Sequence, residues 1–182
     1  MIKLVNDTIN NKDIDKLADW LKTYPRLTKG QLTLDLEHKW SNWLGVKHSI
    51  FCNSGSSAPV IQLGMTPILC DANLQDLSVD LNHLETIFKE TKPDVLLMVS
   101  VLGLVPDMER TLELCNKYNV ILLEDTCESM GSKYNNNKLG TFGLMSSFST
   151  YFGHHISTIE GGFVSTNDEE LYEVLKSIRS HG

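Results

Sequence analysis

Short apolar runs alternate with helical stretches along this chain, and that rhythm constrains the fold more than any other feature. Each run is strand-sized, and most are followed by residues with helical spacing. Such runs predict buried strands, and their alternation with helices predicts a mostly parallel sheet with helices packed on it. The predicted strands are Ser49–Cys52, Pro67–Cys70, Val95–Val101, Val120–Leu123, Ser147–Thr150 and Gly162–Ser165.

Two amphipathic helices are predicted at the start of the chain, within residues 11–45. The apolar stripe of the first ends before Pro25, and the stripe of the second ends at Gly45, both typical helix stops. The two stripes consist of Ile14, Leu17 and Leu21, and of Leu36, Trp40, Trp43 and Leu44. Three aspartates stand directly before later helical stretches and are predicted N-caps: Asp80, Asp107 and Asp168.

Composition narrows the classes of function. The chain of 182 residues is long enough for one domain with a full core and short for two. Its net charge of -7, without a lysine and arginine cluster, argues against nucleic acid or an anionic membrane as partner. Its apolar runs are too short for a signal peptide or a membrane span, so we expect a cytoplasmic protein. The cysteines lack CxxC spacing, so we expect no metal site.

The segment Asn53–Ala58 follows the first predicted strand and consists mainly of small residues. Gly55, Ser56 and Ser57 would expose backbone N–H groups and add hydroxyl groups, which together can hold a phosphate where a helix begins. A plain Ser/Gly turn accounts for the same residues. Taken alone, the segment favours the plain turn.

The predicted strand at Leu122–Asp125 ends in two carboxylates. Ligands of open α/β sheets usually bind at the carboxyl ends of parallel strands, so Asp125 is placed to hold a metal, a ribose hydroxyl or a protonated ring nitrogen. A helix N-cap is the alternative, and the segment supports it equally well. Glu128, three residues on, is either a capping-box partner or a second polar group in the site.

The segment Ser146–His155 combines hydroxyl groups and a histidine pair at the end of an apolar strand. Neighbours on an extended segment point to opposite faces, so His154 and His155 cannot easily share one metal ion. One histidine facing a pocket as an acid or base is the better interpretation, because histidine titrates near neutral pH. A hydrogen-bonded structural role suits His155 better.

These three segments, in this order, resemble the DegT/DnrJ/EryC1/StrS family of sugar aminotransferases and dehydratases, which are fold-type I pyridoxal-phosphate enzymes. The most specific matching stretches are Leu122–Gly131, Gly140–Gly143 and Ser149–Gly162. The resemblance implies the large domain of that fold, a three-layer α/β/α arrangement with a mostly parallel sheet. It also implies pyridoxal or pyridoxamine 5′-phosphate as cofactor, and a homodimer.

The resemblance assigns cofactor roles to six of the candidate residues. Asp125 would pair with the protonated pyridine nitrogen of the cofactor, which keeps the ring an effective electron sink. Glu128, where aminotransferases of the family often have glutamine, fits the dehydratase members and belongs to the implied cofactor site. The phosphate would be held by Gly55, Ser56, Ser57 and Ser149.

His154 stands where aminotransferases of the family have their Schiff-base lysine, five residues after the phosphate-binding serine. No lysine lies between Lys138 and Lys176 to replace it. An imidazole cannot form the covalent link to the cofactor that the lysine cycle needs, but it can move a proton.

The pattern around His154 is similar to that of the GDP-4-keto-6-deoxymannose 3-dehydratases within the family. This implies a nucleotide-sugar 3-dehydratase of deoxysugar and O-antigen biosynthesis, with His154 as the base. A nucleotide-linked 4-keto-6-deoxy sugar would lose its C3 hydroxyl, and glutamate would restore the amine form of the cofactor. Three alternatives stay open: a ketosugar aminotransferase of the same family, an iron–sulfur-assisted CDP-sugar 3-dehydratase, and an inactive fragment that keeps the scaffold.

The sequence departs from the family pattern in three places. Between Ala58 and Pro59 the family continues through a helix, a strand and a loop whose aromatic residue stacks on the cofactor, which indicates an internal deletion. After Gly182 the family has a smaller C-terminal domain, so residues 1–182 are interpreted as one incomplete large domain with its α/β core from residue 46 onward. Thr150 stands where many relatives have phenylalanine, a change expected to alter packing more than chemistry.

Overall fold

The computed structural model describes residues 9–53 and 63–179, and it contains both helices and strands. Within these residues the helices are α1 (Asn11–Leu21), α2 (Gln31–Leu44), α3 (Leu81–Thr91), α4 (Met108–Tyr118) and α5 (Glu169–Arg179). The strands are β1 (His48–Cys52), β2 (Val95–Val99), β3 (Ile121–Asp125), β4 (Lys133–Tyr134), β5 (Asn137–Lys138), β6 (Met145–Ser149) and β7 (Gly162–Thr166). All of the predicted strands but one are confirmed, with ends displaced by one or two residues.

The predicted helix caps are confirmed. The side chains of Asp80 and Asp107 accept backbone N–H groups in the first turns of α3 and α4. Asp168 does the same for α5, where it accepts the N–H of Leu171 at 2.9 Å. Gly45 closes α2 in the left-handed conformation, at φ 97°, which glycine adopts without steric cost.

The predicted strand at Pro67–Cys70 is wrong. The segment has no regular structure, and its side chains are largely solvent-exposed, with Leu69 at 88% and Ile68 at 47%. A buried strand needs a neighbour to satisfy its backbone groups. No strand within residues 9–53 and 63–179 pairs with this segment, and β2 forms that edge of the sheet. Apolar composition alone therefore does not make a strand here.

The main sheet has the strand order β1-β7-β6-β3-β2. Neighbours β2, β3 and β6 are parallel, whereas β7 is antiparallel to both β6 and β1. Four of the five strands therefore point the same way, and β7 alone is reversed. The reversal follows from the connection, because the loop of residues 150–161 contains no crossover helix and returns the chain directly to the neighbouring position.

One face of this sheet is covered by α2, α3 and α4. Leu84 and Phe88 of α3 pack with Leu96 and Leu122 of the sheet in one buried cluster. On the β6–β7 side, the indole of Trp40 in α2 stacks on Phe163, with ring centroids 4.1 Å apart. Strand alternation places these inward-facing sheet residues on the same face.

The opposite face carries α5 beside β1, where the ring of Tyr172 stacks on His48 at 4.2 Å. Helices therefore lie on both faces, as expected for an α/β/α arrangement. Towards β2 the described part of this face stays exposed, with Leu97 at 37% and Val99 at 44%. Within the described ranges, no helix has both the length and the apolar character needed to span a membrane.

Candidate active site

Three strands bring candidate residues to one edge of the sheet. Because β1, β3 and β6 point the same way, their last residues, Cys52, Asp125 and Ser149, lie at the same edge. Asp125 pairs in register with Ser147, so period-2 alternation puts Asp125, Ser147 and Ser149 on the same face. That face is the one opposite α2, α3 and α4, and the edge is where open α/β sheets usually bind ligands.

Glu124 and Asp125 are neighbours in sequence but face opposite sides of the sheet. The Glu124 carboxylate is only 1% exposed and accepts the backbone N–H groups of Gly140 at 2.6 Å, and of Phe142 and Gly143 at 2.7 Å. Burial raises the pKa of Glu124, and the three backbone hydrogen bonds oppose that rise. Glu124 therefore holds the 139–143 loop, and of the two carboxylates that end the strand only Asp125 is in the candidate site.

The helix N-cap interpretation of Asp125 is wrong, because residues 126–131 form turns and no helix starts there. Asp125 Oδ1 instead accepts the N–H of Cys127 at 3.1 Å, within the turn. Burial and the adjacent Asp125 carboxylate raise the pKa of the Cys127 thiol to about 12. Cys127 therefore stays a protonated neighbour of Asp125 at neutral pH rather than a nucleophile.

Glu128 joins two loops at this edge. Its Oε2 accepts the N–H of Leu102 at 3.0 Å, so the capping-box interpretation is wrong. Beside it, the hydroxyl of Ser129 donates to Ser100 O at 2.8 Å and accepts the N–H of Gly103 at 3.2 Å. The loops that follow β2 and β3 are thus tied together. Sequence reasoning missed Ser129, since its partners lie 26 and 29 residues away.

Ser149 ends β6 and is 6% exposed. Its Oγ accepts the N–H of Tyr151 at 3.3 Å, which leaves the hydroxyl hydrogen available for another acceptor. Ser149 pairs in register with Gly162, so β6 and β7 extend together to the loop that carries the histidine pair.

His154 lies in the loop between β6 and β7 and is half-buried. Its N–H donates to Tyr151 O at 3.0 Å, and its ring lies edge-on to the Tyr151 ring, with centroids 6.4 Å apart. His155 is exposed and makes no hydrogen bond within the described residues, so its interpretation as a hydrogen-bonded structural histidine is wrong. The two histidines thus differ in exposure, but the alternation argument does not apply to them, because residues 151–156 form turns and bends rather than an extended strand.

Thr150, expected to alter packing more than chemistry, takes part in a hydrogen-bonded contact at the base of this loop. It is 1% exposed, and its Oγ1 lies 2.7 Å from Thr158 Oγ1. Its backbone N–H donates to Gly161 O, and its carbonyl oxygen accepts the N–H of Thr158, each at 2.9 Å. A pair of threonines flanking the histidine pair was the available sequence signal.

The remaining candidates, Gly55, Ser56 and Ser57, lie outside the described residues. The strand that leads to them, β1, ends at the same sheet edge as Asp125 and Ser149. Within the ranges 9–53 and 63–179, no group of three or more histidine, cysteine or acidic side chains is placed to hold a metal ion.

Comparison with known proteins connects this geometry to a family. The model of the DegT/DnrJ/EryC1/StrS aminotransferase family matches residues 56–182. The GDP-4-keto-6-deoxy-D-mannose 3-dehydratase of Yersinia pseudotuberculosis is 32% identical over 98% of this chain and 54% of its own length. An Escherichia coli GDP-4-keto-6-deoxy-D-mannose-3-dehydratase, solved with bound hydrated PLP, superposes with a TM-score of 0.91 at 28% identity over 100% of this chain and 56% of that one.

Aminotransferases are also among the relatives. The UDP-4-amino-4,6-dideoxy-N-acetyl-beta-L-altrosamine transaminase of Helicobacter pylori is 31% identical over 86% of this chain and 49% of its own length. The chain thus spans about half the length of these relatives. The matched residues include the whole stretch from the end of β3 to α5. The chain belongs to the DegT/DnrJ/EryC1/StrS aminotransferase family.

Proposed function

We propose that this chain is the large-domain part of a nucleotide-sugar 3-dehydratase that uses pyridoxal and pyridoxamine 5′-phosphate. The observation that carries the proposal is His154, a half-buried imidazole in the loop where the family's aminotransferases have lysine. The enzyme would remove the C3 hydroxyl of a 4-keto-6-deoxyhexose. The dehydratase relatives, which carry that activity in their names, support this reaction.

The residues at the sheet edge fit the cofactor. When bound, the cofactor supplies a conjugated ring that takes up an electron pair. Asp125 offers a half-buried carboxylate for a protonated ring nitrogen, and Ser149 offers a hydroxyl hydrogen for a phosphate oxygen. Glu128, Gly55, Ser56 and Ser57 complete the proposed cofactor site. Glu128 lies at the same edge of the sheet as Asp125, and β1, the strand that precedes Gly55, ends at that edge.

The lysines nearest to His154 in sequence are engaged elsewhere, which disfavours the aminotransferase alternative. The Lys138 ammonium lies 5.1 Å from the centroid of the Trp43 ring, on the α2 side of the molecule. Lys176 forms an ion pair with Glu173 on the same helix, α5. Neither is placed to take over the covalent role that lysine has in the family's aminotransferases.

His154 would act as a proton carrier. A neutral imidazole can take a proton from C4′ of the cofactor and deliver it to the departing C3 hydroxyl, which then leaves as water. One group can serve both steps, because the proton removed at the first is the one needed at the second. The acid and base roles therefore require no second titratable residue in the described loop.

We further infer the partners and the setting of the intact protein. The substrate would be GDP-linked, as in the names of the dehydratase relatives. Glutamate would restore the amine form of the cofactor, and two copies would form a homodimer. The protein would act in the cytoplasm in O-antigen and deoxysugar synthesis.

Residues 1–182 would form a single, incomplete large domain with a deletion between Ala58 and Pro59. The Yersinia pseudotuberculosis alignment spans 213 positions, more than the 182 residues present here, so that alignment contains gaps in this chain.

A cofactor-binding and turnover experiment tests the proposal. The purified chain is mixed with pyridoxal 5′-phosphate, and its visible spectrum is recorded. A sample is then reduced with borohydride, and the mass of the protein is measured by mass spectrometry. Turnover is measured with pyridoxamine 5′-phosphate, glutamate and GDP-4-keto-6-deoxymannose. We expect reversible cofactor binding, no reduced covalent adduct, and loss of water from the sugar. His154→Asn should lower turnover about 10²-fold or more while leaving cofactor binding intact.

His155→Gln is the matched control, because this neighbour is exposed and should retain wild-type turnover. A borohydride-trapped lysine adduct would contradict the dehydratase assignment and support the aminotransferase. Lack of any cofactor band would instead support the inactive scaffold. Equal turnover in wild type and His154→Asn would remove His154 from the mechanism.

A further inference from the structure

The loop that carries His154 is closed at its base by an unusual set of hydrogen bonds. Thr150 N–H donates to Gly161 O at 2.9 Å, which extends the β6–β7 pairing by one residue. Thr158 N–H donates to Thr150 O, also at 2.9 Å. The backbone of Thr150 is thus held by two residues of the returning segment, Thr158 and Gly161. We call Thr150, Thr158 and Gly161 the loop clasp.

The hydroxyl groups of Thr150 and Thr158 are also part of the clasp, and the donor of each of their hydrogen bonds can be assigned. Thr158 Oγ1 lies 3.0 Å from Glu160 O and 3.5 Å from Thr150 O, both acceptors that can only receive a hydrogen, and the contact with Glu160 is the shorter. Thr158 therefore donates to Glu160, and Thr150 donates to Thr158 Oγ1 across 2.7 Å. Each hydroxyl hydrogen has one acceptor in this arrangement.

Gly161 lets the two threonines come this close. A Cβ at position 161 would lie 2.6 Å from the Phe51 ring, 2.7 Å from Thr158 Oγ1 and 2.8 Å from Thr150 Oγ1. Real Cβ atoms do not approach other atoms so closely, so any side chain here would push the clasp apart. The clasp is therefore a packed junction with little freedom to adjust.

Among the described residues, the hydrogen bond and the ring contact of His154 both come from inside this loop. They are the backbone hydrogen bond to Tyr151 O and the edge-on contact with the Tyr151 ring. Neither contact reaches a strand or a helix. The position of the imidazole relative to the strand ends at Asp125 and Ser149 is consequently set by the path of the loop, and that path is fixed where the loop closes.

We propose that Thr150 and Thr158 are positioning residues, whose paired hydroxyls fix the loop that presents His154 for proton transfer. This inference rests on the proposed function, since it concerns the placement of the proposed base. A displacement of about 1 Å at a reacting group can lower the rate about 10²-fold, so a small opening of the clasp is enough to affect turnover.

Thr158→Val tests the clasp, because it keeps the shape of threonine and removes the hydroxyl. It leaves the buried Thr150 hydroxyl without its acceptor. We expect backbone hydrogen exchange at Thr150, His154 and Thr158, whose N–H groups are hydrogen-bonded within the loop, to rise about tenfold or more, while exchange in β3 is unchanged. We expect kcat to fall about 10²-fold with KM within about twofold of wild type. Thr158→Ser keeps the hydroxyl and should restore both properties.

Ser157→Ala is the matched control, since that hydroxyl accepts Ile159 N–H within the same loop and is not part of the clasp. It should leave kcat unchanged. The inference is overturned if Thr158→Val shows wild-type hydrogen exchange and wild-type turnover, or if Thr158→Ser is as impaired as Thr158→Val. It is also overturned if Thr158→Val raises KM while kcat stays constant. If the wild-type chain performs no dehydration, the proposed function fails, and hydrogen exchange alone then decides whether the clasp orders the loop.

Discussion

Replacing Glu124 with glutamine tests how the end of β3 is tied to the loop of residues 139–143. The wild-type carboxylate accepts three backbone N–H groups, with Gly140 on Oε2 and with Phe142 and Gly143 on Oε1. A glutamine has one oxygen and one NH₂ group in the same positions. If its oxygen accepts the N–H groups of Phe142 and Gly143, its NH₂ group faces the N–H of Gly140, which then has no acceptor. In the reverse orientation two N–H groups, those of Phe142 and Gly143, have no acceptor.

The expected cost follows from burial. Glu124 is 1% exposed, so water cannot reach the N–H group that loses its acceptor. An unsatisfied buried donor costs about 1–3 kcal/mol, and the loss of a bond to a charged acceptor lies in the same range. Removing the buried charge offsets part of this cost. We therefore expect Glu124→Gln to lower the free energy of unfolding by about 2 kcal/mol, or to lower Tm by about 4–8 °C.

Urea denaturation followed by circular dichroism measures the change, and hydrogen exchange at Gly140, Phe142 and Gly143 locates it. Glu128→Gln is the control, because the exposed Glu128 carboxylate accepts a single N–H group that an amide oxygen can also accept. It should change the free energy of unfolding by less than about 0.5 kcal/mol. An unchanged midpoint and m-value in Glu124→Gln would refute the reasoning.

Two more perturbations follow from contacts elsewhere in the structure. Hydrogen bonds from Lys117 and Tyr118 lower the pKa of Glu85 to about 2, from an ordinary value of 4.5. Because the folded-state pKa is the lower one, the stabilisation is complete above pH 4.5 and is lost as the pH falls towards 2. Glu85→Gln should therefore be less stable than wild type in urea at pH 7, and a difference that persists unchanged at pH 2 would contradict this. Gly161→Ala should destabilise the protein by about 2 kcal/mol or more, because its Cβ would lie 2.6 Å from the Phe51 ring. Gly153→Ala, where the nearest atom lies at 3.5 Å, is the control for thermal unfolding, and equal Tm shifts in the two variants would argue against the close packing.

The alternating pattern of the sequence was sufficient for most of the fold. It located β1, β2, β3, β6 and β7 within one or two residues, but it did not predict the short β4–β5 pair and it placed a strand at Pro67–Cys70 that the structure lacks. Helix caps at Asp80 and Asp107 were predictable because a cap depends on residues two or three positions away. The family resemblance and the absence of lysine around His154 could also be recognised from the sequence, since both are properties of short stretches.

The tertiary structure decided what depends on distant partners. Pro67–Cys70 has strand-like composition and no strand to pair with, and β7 is reversed because its connection returns as a loop. Glu124 became a structural anchor because the 139–143 loop crosses its face of the sheet, 16 to 19 residues along the chain.

Thr150 and Thr158 show the same division at the candidate site. Their spacing indicates only that two hydroxyls flank the histidines, whereas their hydrogen bond exists because β6 and β7 lie side by side and bring Gly161 against Thr150. Sequence patterns report what each segment can form by itself. The packing of the whole sheet decides which segments become neighbours. The function of a side chain whose partners are distant in sequence therefore depends on that packing.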